Sequence, residues 1–196
     1  MGERKTYELK RRAEAAAGTR RRITEAAVAL HESVGPARTS VSEIARRAGV
    51  DRVTVYRHFP DEAALFRSCS QHYAARNPLP DPAQWAELAD QRERLRSALA
   101  TIYGYYEHNE ALLANITRDA EQMPAVAAAG AYRRQWLAEV EQGLARGWDG
   151  NVQQLRHAIA LALDFRTWQT LVRKRGLSNR RAIWLMLAMV GGAVCS

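Results

Sequence analysis

The sequence is short of the residues that break helices and of those that cross-link chains. Among 196 residues there are only 12 glycines and 6 prolines, and they cluster at a few places. Ala, Leu, Arg and Glu are abundant instead, and these lose little side-chain freedom in a helix, so the composition favours an all-α protein. Two cysteines, Cys69 and Cys195, cannot make a disulfide framework, and no CxxC or Cys/His cluster suggests zinc; free thiols in a reducing cytoplasm are expected. The opening residues Met1-Gly2-Glu3-Arg4-Lys5-Thr6 lack the apolar stretch of a secretory signal. The longest nearly uncharged apolar run, residues 182–195, is shorter than the roughly 18–20 residues that span a bilayer, so no membrane partner is expected. Catalytic signatures are missing as well. No HExxH, P-loop, GxSxG or dinucleotide fingerprint occurs. None of the histidines (31, 58, 72, 108 and 157) follows an acidic residue by three positions, as a di-iron helical bundle would need. Neither an enzyme nor a cofactor is expected.

What the chain does have is positive charge at one end. Its formal net charge is +8. Residues 1–60 hold 13 Lys/Arg against 7 Asp/Glu, and the remainder 16 against 14. A basic end on an otherwise balanced chain suits an anionic polymer, or serves solubility alone.

Residues 1–18 are charged and Ala-rich without an apolar stripe, and read as a mobile or weakly helical basic arm. From Thr19 a helical pattern begins, with Ile23, Ala26, Ala27, Leu30 and Val34 at spacings of three and four. Gly35-Pro36 ends it. Ser40-Val41-Ser42-Glu43 fits a capping box, in which Ser40 and Glu43 each satisfy a backbone N–H. The helix that follows turns Val41, Ile44, Ala45 and Ala48 inward. Gly49 provides a tight turn, and Asp51 can cap a second short helix, residues 52–59, with Val55 and Phe59 on one face. Pro60-Asp61 then starts a fourth helix.

Three prolines between Asn77 and Pro82 form the strongest break in the chain. Beyond it, long helices are expected over residues 85–109, 110–122, 124–146, 152–174 and 178–194. The last two are apolar on nearly every side, which calls for cover by another surface, a partner subunit being a natural one.

Two short helices joined by a Gly-containing turn, the second rich in Arg, Thr, Tyr and His, form a helix-turn-helix. Such a helix fits the major groove of DNA, where Arg can pair with guanine and Thr can touch a thymine methyl. Tyr and Arg at its edges can reach phosphates. The bland alternative is a helical hairpin with a solvated polar face.

The order of residues goes further than the bare pattern. Ile44-Ala45-x-x-Ala48-Gly49-Val50, Val55-Tyr56-x-His58-Phe59 and Ala64-Leu65, within residues 20–69, closely resemble the DNA-binding domain of the TetR family. The resemblance implies nine helices, three of which bind DNA, with a fourth linking domains and the rest forming a ligand pocket and a dimer interface. It divides the chain into the arm 1–18, a helix-turn-helix domain with its linking helix at 19–76, and a ligand-binding and dimerisation domain at 83–196. By motif position, Thr54 and Tyr56 match DNA-contacting residues. Arg52, Val53 and His58 match variable or supporting recognition positions, while Arg57 and Ser42 complete the candidate set. Many members carry Lys where this chain has Glu62.

The implied function is a sequence-specific DNA-binding transcriptional regulator. It would be a repressor in the cytoplasm, acting as a homodimer on double-stranded operator DNA and released by a small, largely apolar effector of unknown identity. Tyr103, Tyr106, Trp136, Phe165 and Trp168 could line the effector's cavity, with Asn115, Asp119, Met123 and Asp164 as its polar handles. Each aromatic could equally be packed core. Asp164 attracts attention because a carboxylate within an apolar helix needs a partner. The alternatives are a ligand-independent architectural DNA-binding protein and an enzyme on a helical bundle.

Overall fold

The computed structural model describes residues 2–193, with side chains from residue 6 onward; Cys195 lies outside the described residues. All regular structure among them is helical. Twelve α-helices follow in order: α1 Gly2–Ser33, α2 Val41–Ala48, α3 Arg52–His58, α4 Glu62–Arg76, α5 Ala83–Ala86, α6 Gln91–His108, α7 Glu110–Asp119, α8 Pro124–Ala129, α9 Ala131–Leu144, α10 Val152–Leu163, α11 Phe165–Gln169 and α12 Asn179–Gly192.

Nine continuous helices become twelve because three of them are interrupted, two at a side-chain cap and one at a glycine. Asp90 accepts a hydrogen bond from the amide of Glu93 at 2.6 Å and starts α6 afresh after the short α5. Gly130 separates α8 from α9. Asp164 is exposed and accepts from the amide of Thr167 at 2.8 Å, capping α11. That corrects the reading of Asp164 as a carboxylate stranded in an apolar helix. It is an N-cap, and its ordering of the amides of α11 compensates for the break.

The first helix also differs from expectation. The segment read as a basic arm is the amino-terminal half of α1, a helix of 32 residues. Side chains 6–17 are all exposed, so among the described residues no buried side chain anchors this half. Its strong helix formers, Ala13, Ala15, Ala16 and Ala17 among them, suffice because no proline or glycine lies between Gly2 and Gly18.

The chain divides into two compact units, residues 1–78 with 114–130, and residues 79–113 with 131–196. In the first, Ile23, Ala26, Ala27 and Leu30 of α1 meet Ile44, Ala45 and Ala48 of α2, Val55 and Phe59 at α3, and Leu65 and Cys69 of α4. Burying one of the larger of these side chains is worth about 1.5–3 kcal/mol. Segment 114–130 completes this unit. Asn115 donates to the carbonyls of His31 at 3.0 Å and Glu32 at 2.8 Å, and Arg118 donates to that of Val34 at 3.2 Å. These are carbonyls that the end of a helix leaves without intrahelical partners. Helix α8 lies against α4.

In the second unit α6 is central. Its Leu95, Ala98, Leu99, Ile102, Tyr103 and Tyr106 are buried, and it packs on α5, α9, α10, α11 and α12. Among the described residues, no helix is long and apolar enough to cross a membrane.

Candidate nucleic-acid interface

The helix-turn-helix is held by local chemistry at each joint. Ser40 accepts from the amide of Glu43 at 3.1 Å and begins α2. The reciprocal half of the expected capping box is not made. The Glu43 carboxylate pairs instead with Arg46, three residues on, which also holds its carboxyl below the usual range. Gly49 takes φ 66° and ψ 41°, a left-handed conformation that costs a side-chain-bearing residue about 1–2 kcal/mol, and the amide of Val50 closes back on Ala45 at 3.0 Å. Asp51 then accepts from the amide of Thr54 at 2.6 Å. That bond holds the Asp51 carboxyl below its ordinary range, so it stays ionised at the positive end of the α3 dipole.

With its ends fixed, α3 has a clear inner and outer side. Val55 is buried beside Phe59, while Arg52, Val53, Tyr56 and Arg57 are exposed. Positions 52, 53, 56 and 57 are spaced by one, three and four residues, which places them on one helix face. Val53 and Tyr56 are 66% and 49% exposed, unusual for apolar side chains that serve no surface. Thr54 and His58 are half-buried at the margins of this face, and Ser42 is exposed on the first turn of α2. A helix whose exposed side carries two guanidinium groups and a phenol, with the Thr54 hydroxyl at its margin, has the size and donor set for a major groove.

Residues 23–69 match the profile of the bacterial regulatory proteins of the tetR family. An uncharacterized HTH-type transcriptional regulator of Mycobacterium bovis, Mb2274c, is 45% identical over 60 residues, 30% of this chain and 32% of that protein. The chain therefore matches about a third of the length of that curated relative. NalD of Pseudomonas aeruginosa, described as the secondary repressor of the MexAB-OprM multidrug efflux pump, superposes with a TM-score of 0.63 at 24% identity, covering 92% of this chain and 98% of NalD. A TetR-like transcriptional regulator from Rhodococcus sp. RHA1 gives 0.66 at 18% identity, over 91% of this chain and 96% of the other. The sequence match to the TetR family is confined to the amino-terminal part of the chain. Residues 23–69 are that family's helix-turn-helix domain, and the all-helical fold is the one its solved structures share.

Just before this matched segment, two arginines of α1 support the helix-turn-helix in a way the motif does not reveal. Arg20 of α1 donates to the carbonyl of His58 at 2.6 Å, and its guanidinium lies 4.1 Å from the centre of the Phe59 ring. Arg22 reaches the carbonyl of Ala48 at 3.4 Å. Each places a cation at the carboxyl end of one helix of the motif, where the helix dipole is negative. The signal available was the run Arg20-Arg21-Arg22 immediately before Ile23, the first residue of the apolar stripe of α1. His58 contributes its carbonyl to this arrangement.

The candidate effector residues separate into two groups. Tyr103, Tyr106, Phe165 and Trp168 come together in the second unit, with ring centroids 5.4 Å apart for Tyr106–Phe165 and 5.6 Å for Phe165–Trp168. The Tyr103 hydroxyl donates to the carbonyl of Ala162 at 2.9 Å and that of Tyr106 to Leu163 at 2.5 Å. Burial pushes both phenols well above their ordinary range, so both stay protonated donors. Trp136 is buried in the same unit. Asn115, Asp119 and Met123 belong to the first unit, where Asn115 and Asp119 bond to the end of α1 and the turn after it. Among the described residues, no cluster of His, Cys, Asp or Glu could hold a metal ion.

Proposed function

We propose that the protein is a sequence-specific repressor that binds operator DNA as a two-fold dimer. The observation that carries this is the exposed face of α3, with Arg52, Val53, Tyr56 and Arg57 outward and both helix ends pinned by Asp51 and Arg20. Arg52 and Thr54 read base edges, Ser42, Tyr56 and Arg57 contact phosphates, and Val53 and His58 fill the groove margin. A side chain held on a fixed helix loses less freedom on binding than one on a mobile loop.

A second copy of this chain supplies the dimer. Helices α10 and α12 leave Leu161, Trp184 and Met189 exposed at 47%, 68% and 48%. Large apolar side chains at this density on paired helices suit a self-complementary interface. Two reading heads related by a two-fold axis require a near-palindromic operator. Leu161→Glu or Trp184→Glu should give monomers or aggregates by sedimentation velocity. A parent protein that is a stable monomer at micromolar concentration would rule the arrangement out.

A small, largely apolar effector releases the DNA by binding the second unit beside Tyr106, Phe165 and Trp168. The π-helical turn Thr170–Lys174 follows this cluster, and such turns recur at functional sites. NalD is itself described as a repressor. The effector shifts the equilibrium only by its differential affinity, about 1.4 kcal/mol for each tenfold loss of operator binding. Tryptophan fluorescence and operator release measured on one apolar library test it; a library that changes neither would leave the aromatic cluster as core.

A further inference from the structure

We propose that the second unit binds a short organic monocarboxylate in a cavity formed by α5, the start of α6 and the end of α9. The site is independent of the aromatic cluster and stands whether or not the protein releases DNA.

The starting point is Arg94. Its side chain comes from the first turn of α6 and is 92% buried. An ionised guanidinium taken out of water is costly unless a countercharge accompanies it. Here its hydrogen-bond partners are backbone dipoles. One terminal nitrogen donates to the carbonyl of Leu88 at 2.7 Å, the other donates to the carbonyl of Arg146, and Nε has no hydrogen-bond partner. Arginine has five N–H groups, so a full positive charge remains with donors to spare.

Arg94 lines a cavity of about 80 Å³. Its walls combine Trp85, Pro82 and Val140 with Gly143, and Arg146 and Glu139 complete it. Trp85 and Val140 are buried, whereas Arg146 and Glu139 are exposed and stand toward solvent. A buried cation, a second cation at the rim and an apolar wall describe a carboxylate head beside a short hydrocarbon body.

Size and charge narrow the class. A cavity that accepts benzene measures about 150 Å³, so this one fits roughly two to four carbons. Glu139, whose carboxylate accepts from Gln135 at 3.0 Å, opposes a second carboxylate on the ligand by like-charge repulsion. Monocarboxylates are therefore selected over dicarboxylates of similar length.

The test is calorimetric titration of the full chain with sodium propionate, lactate and malonate, and with neutral propionamide, at constant ionic strength. Melting temperature is followed in parallel. Propionate and lactate should bind saturably and raise the melting temperature, while malonate and propionamide should not. Arg94→Gln should weaken propionate at least about tenfold, the size expected for a lost charged hydrogen bond. Since that variant also loses the bonds to Leu88 and Arg146, Gly143→Leu provides the second arm. Gly143 lines the cavity and a Cβ there meets nothing within 4 Å, so this variant has room for its side chain, narrows the cavity and keeps Arg94; its melting temperature without ligand checks that it folds. It should lose propionate binding. No propionate binding to the parent, equal binding of propionamide, or propionate binding that persists in Gly143→Leu would each overturn the proposal.

Discussion

The Asp119 carboxylate occupies the space that a side chain at Gly35 would need: a Cβ there would stand 2.7 Å from its Oδ2. The same oxygen accepts from the amide of Ala37 at 2.9 Å, and the other pairs with Arg118 at 2.6 Å. Gly35 turns with φ 92°, and so lets the chain leave α1 directly beneath this ion pair.

Gly35→Ala should therefore cost more than backbone strain alone. The substitution places a methyl against Arg118 and Asp119 and forces an unfavourable φ, so a loss of about 2–4 kcal/mol is expected. Gly49→Ala is the comparison, with φ 66° and open space around its Cβ, and should lose only about 1–2 kcal/mol. Urea midpoints of the two variants measure the difference. Equal losses would show that Asp119 does not confine this turn.

Acid should weaken the fold in a defined window. His31 is buried, stacks on Phe66 at 5.1 Å between centroids, and has its pKa lowered to about 4, chiefly by desolvation, with Asp119 acting the other way. The folded imidazole therefore resists a proton that the unfolded chain accepts near 6.5. The contribution of neutral His31 is complete above pH 6.5 and is lost as pH falls toward 4. A shift of this size corresponds to roughly 3 kcal/mol. At Asp119, burial works to raise the carboxyl's pKa, but hydrogen bonds from Arg118 and Ala37 outweigh it and hold it below the usual value. Its contribution is lost only on further acidification. Replacing His31 by Phe should flatten stability between pH 6.5 and 4; an unchanged slope would contradict the assignment.

Arg20 should behave as a positioning residue. Arg20→Ala should lower hydrogen-exchange protection at the last amides of α3 and weaken operator binding, with the rest of the first unit unaltered. Arg20→Lys keeps the charge but loses the planar stacking on Phe59, and should recover only part of the affinity. If Arg20→Ala affected DNA binding solely through its salt dependence, the residue would be a phosphate contact instead.

Much of the helix-turn-helix was legible because its determinants are local. Ser40, Gly49, Asp51 and Asp61 act within four residues of themselves, and the apolar spacing of Ile44, Ala45, Ala48 and Val55 follows helix geometry. What was not legible depends on distance. The bond from Arg20 to the carbonyl of His58 spans 38 positions, and those from Asn115 to His31 and Glu32 span 84 and 83. Asp164 was ambiguous for another reason. A carboxylate between two apolar stretches reads equally as a buried charge or as a cap, and only the backbone break decides. The amino-terminal half of α1 lacked an apolar stripe, so periodicity had nothing to detect although the propensity of its alanines was present.

Selection of bound fragments from a fragmented genomic library, run in parallel with the parent, Arg52→Ala and Thr54→Ala, tests the reading role of α3 most directly. The parent should enrich a near-palindromic sequence. Each variant should relax preference at one symmetric pair of positions, with a loss there of about 1–3 kcal/mol. No enriched sequence in the parent, or identical enrichment from all three proteins, would contradict the assignment of α3 as the helix that reads DNA.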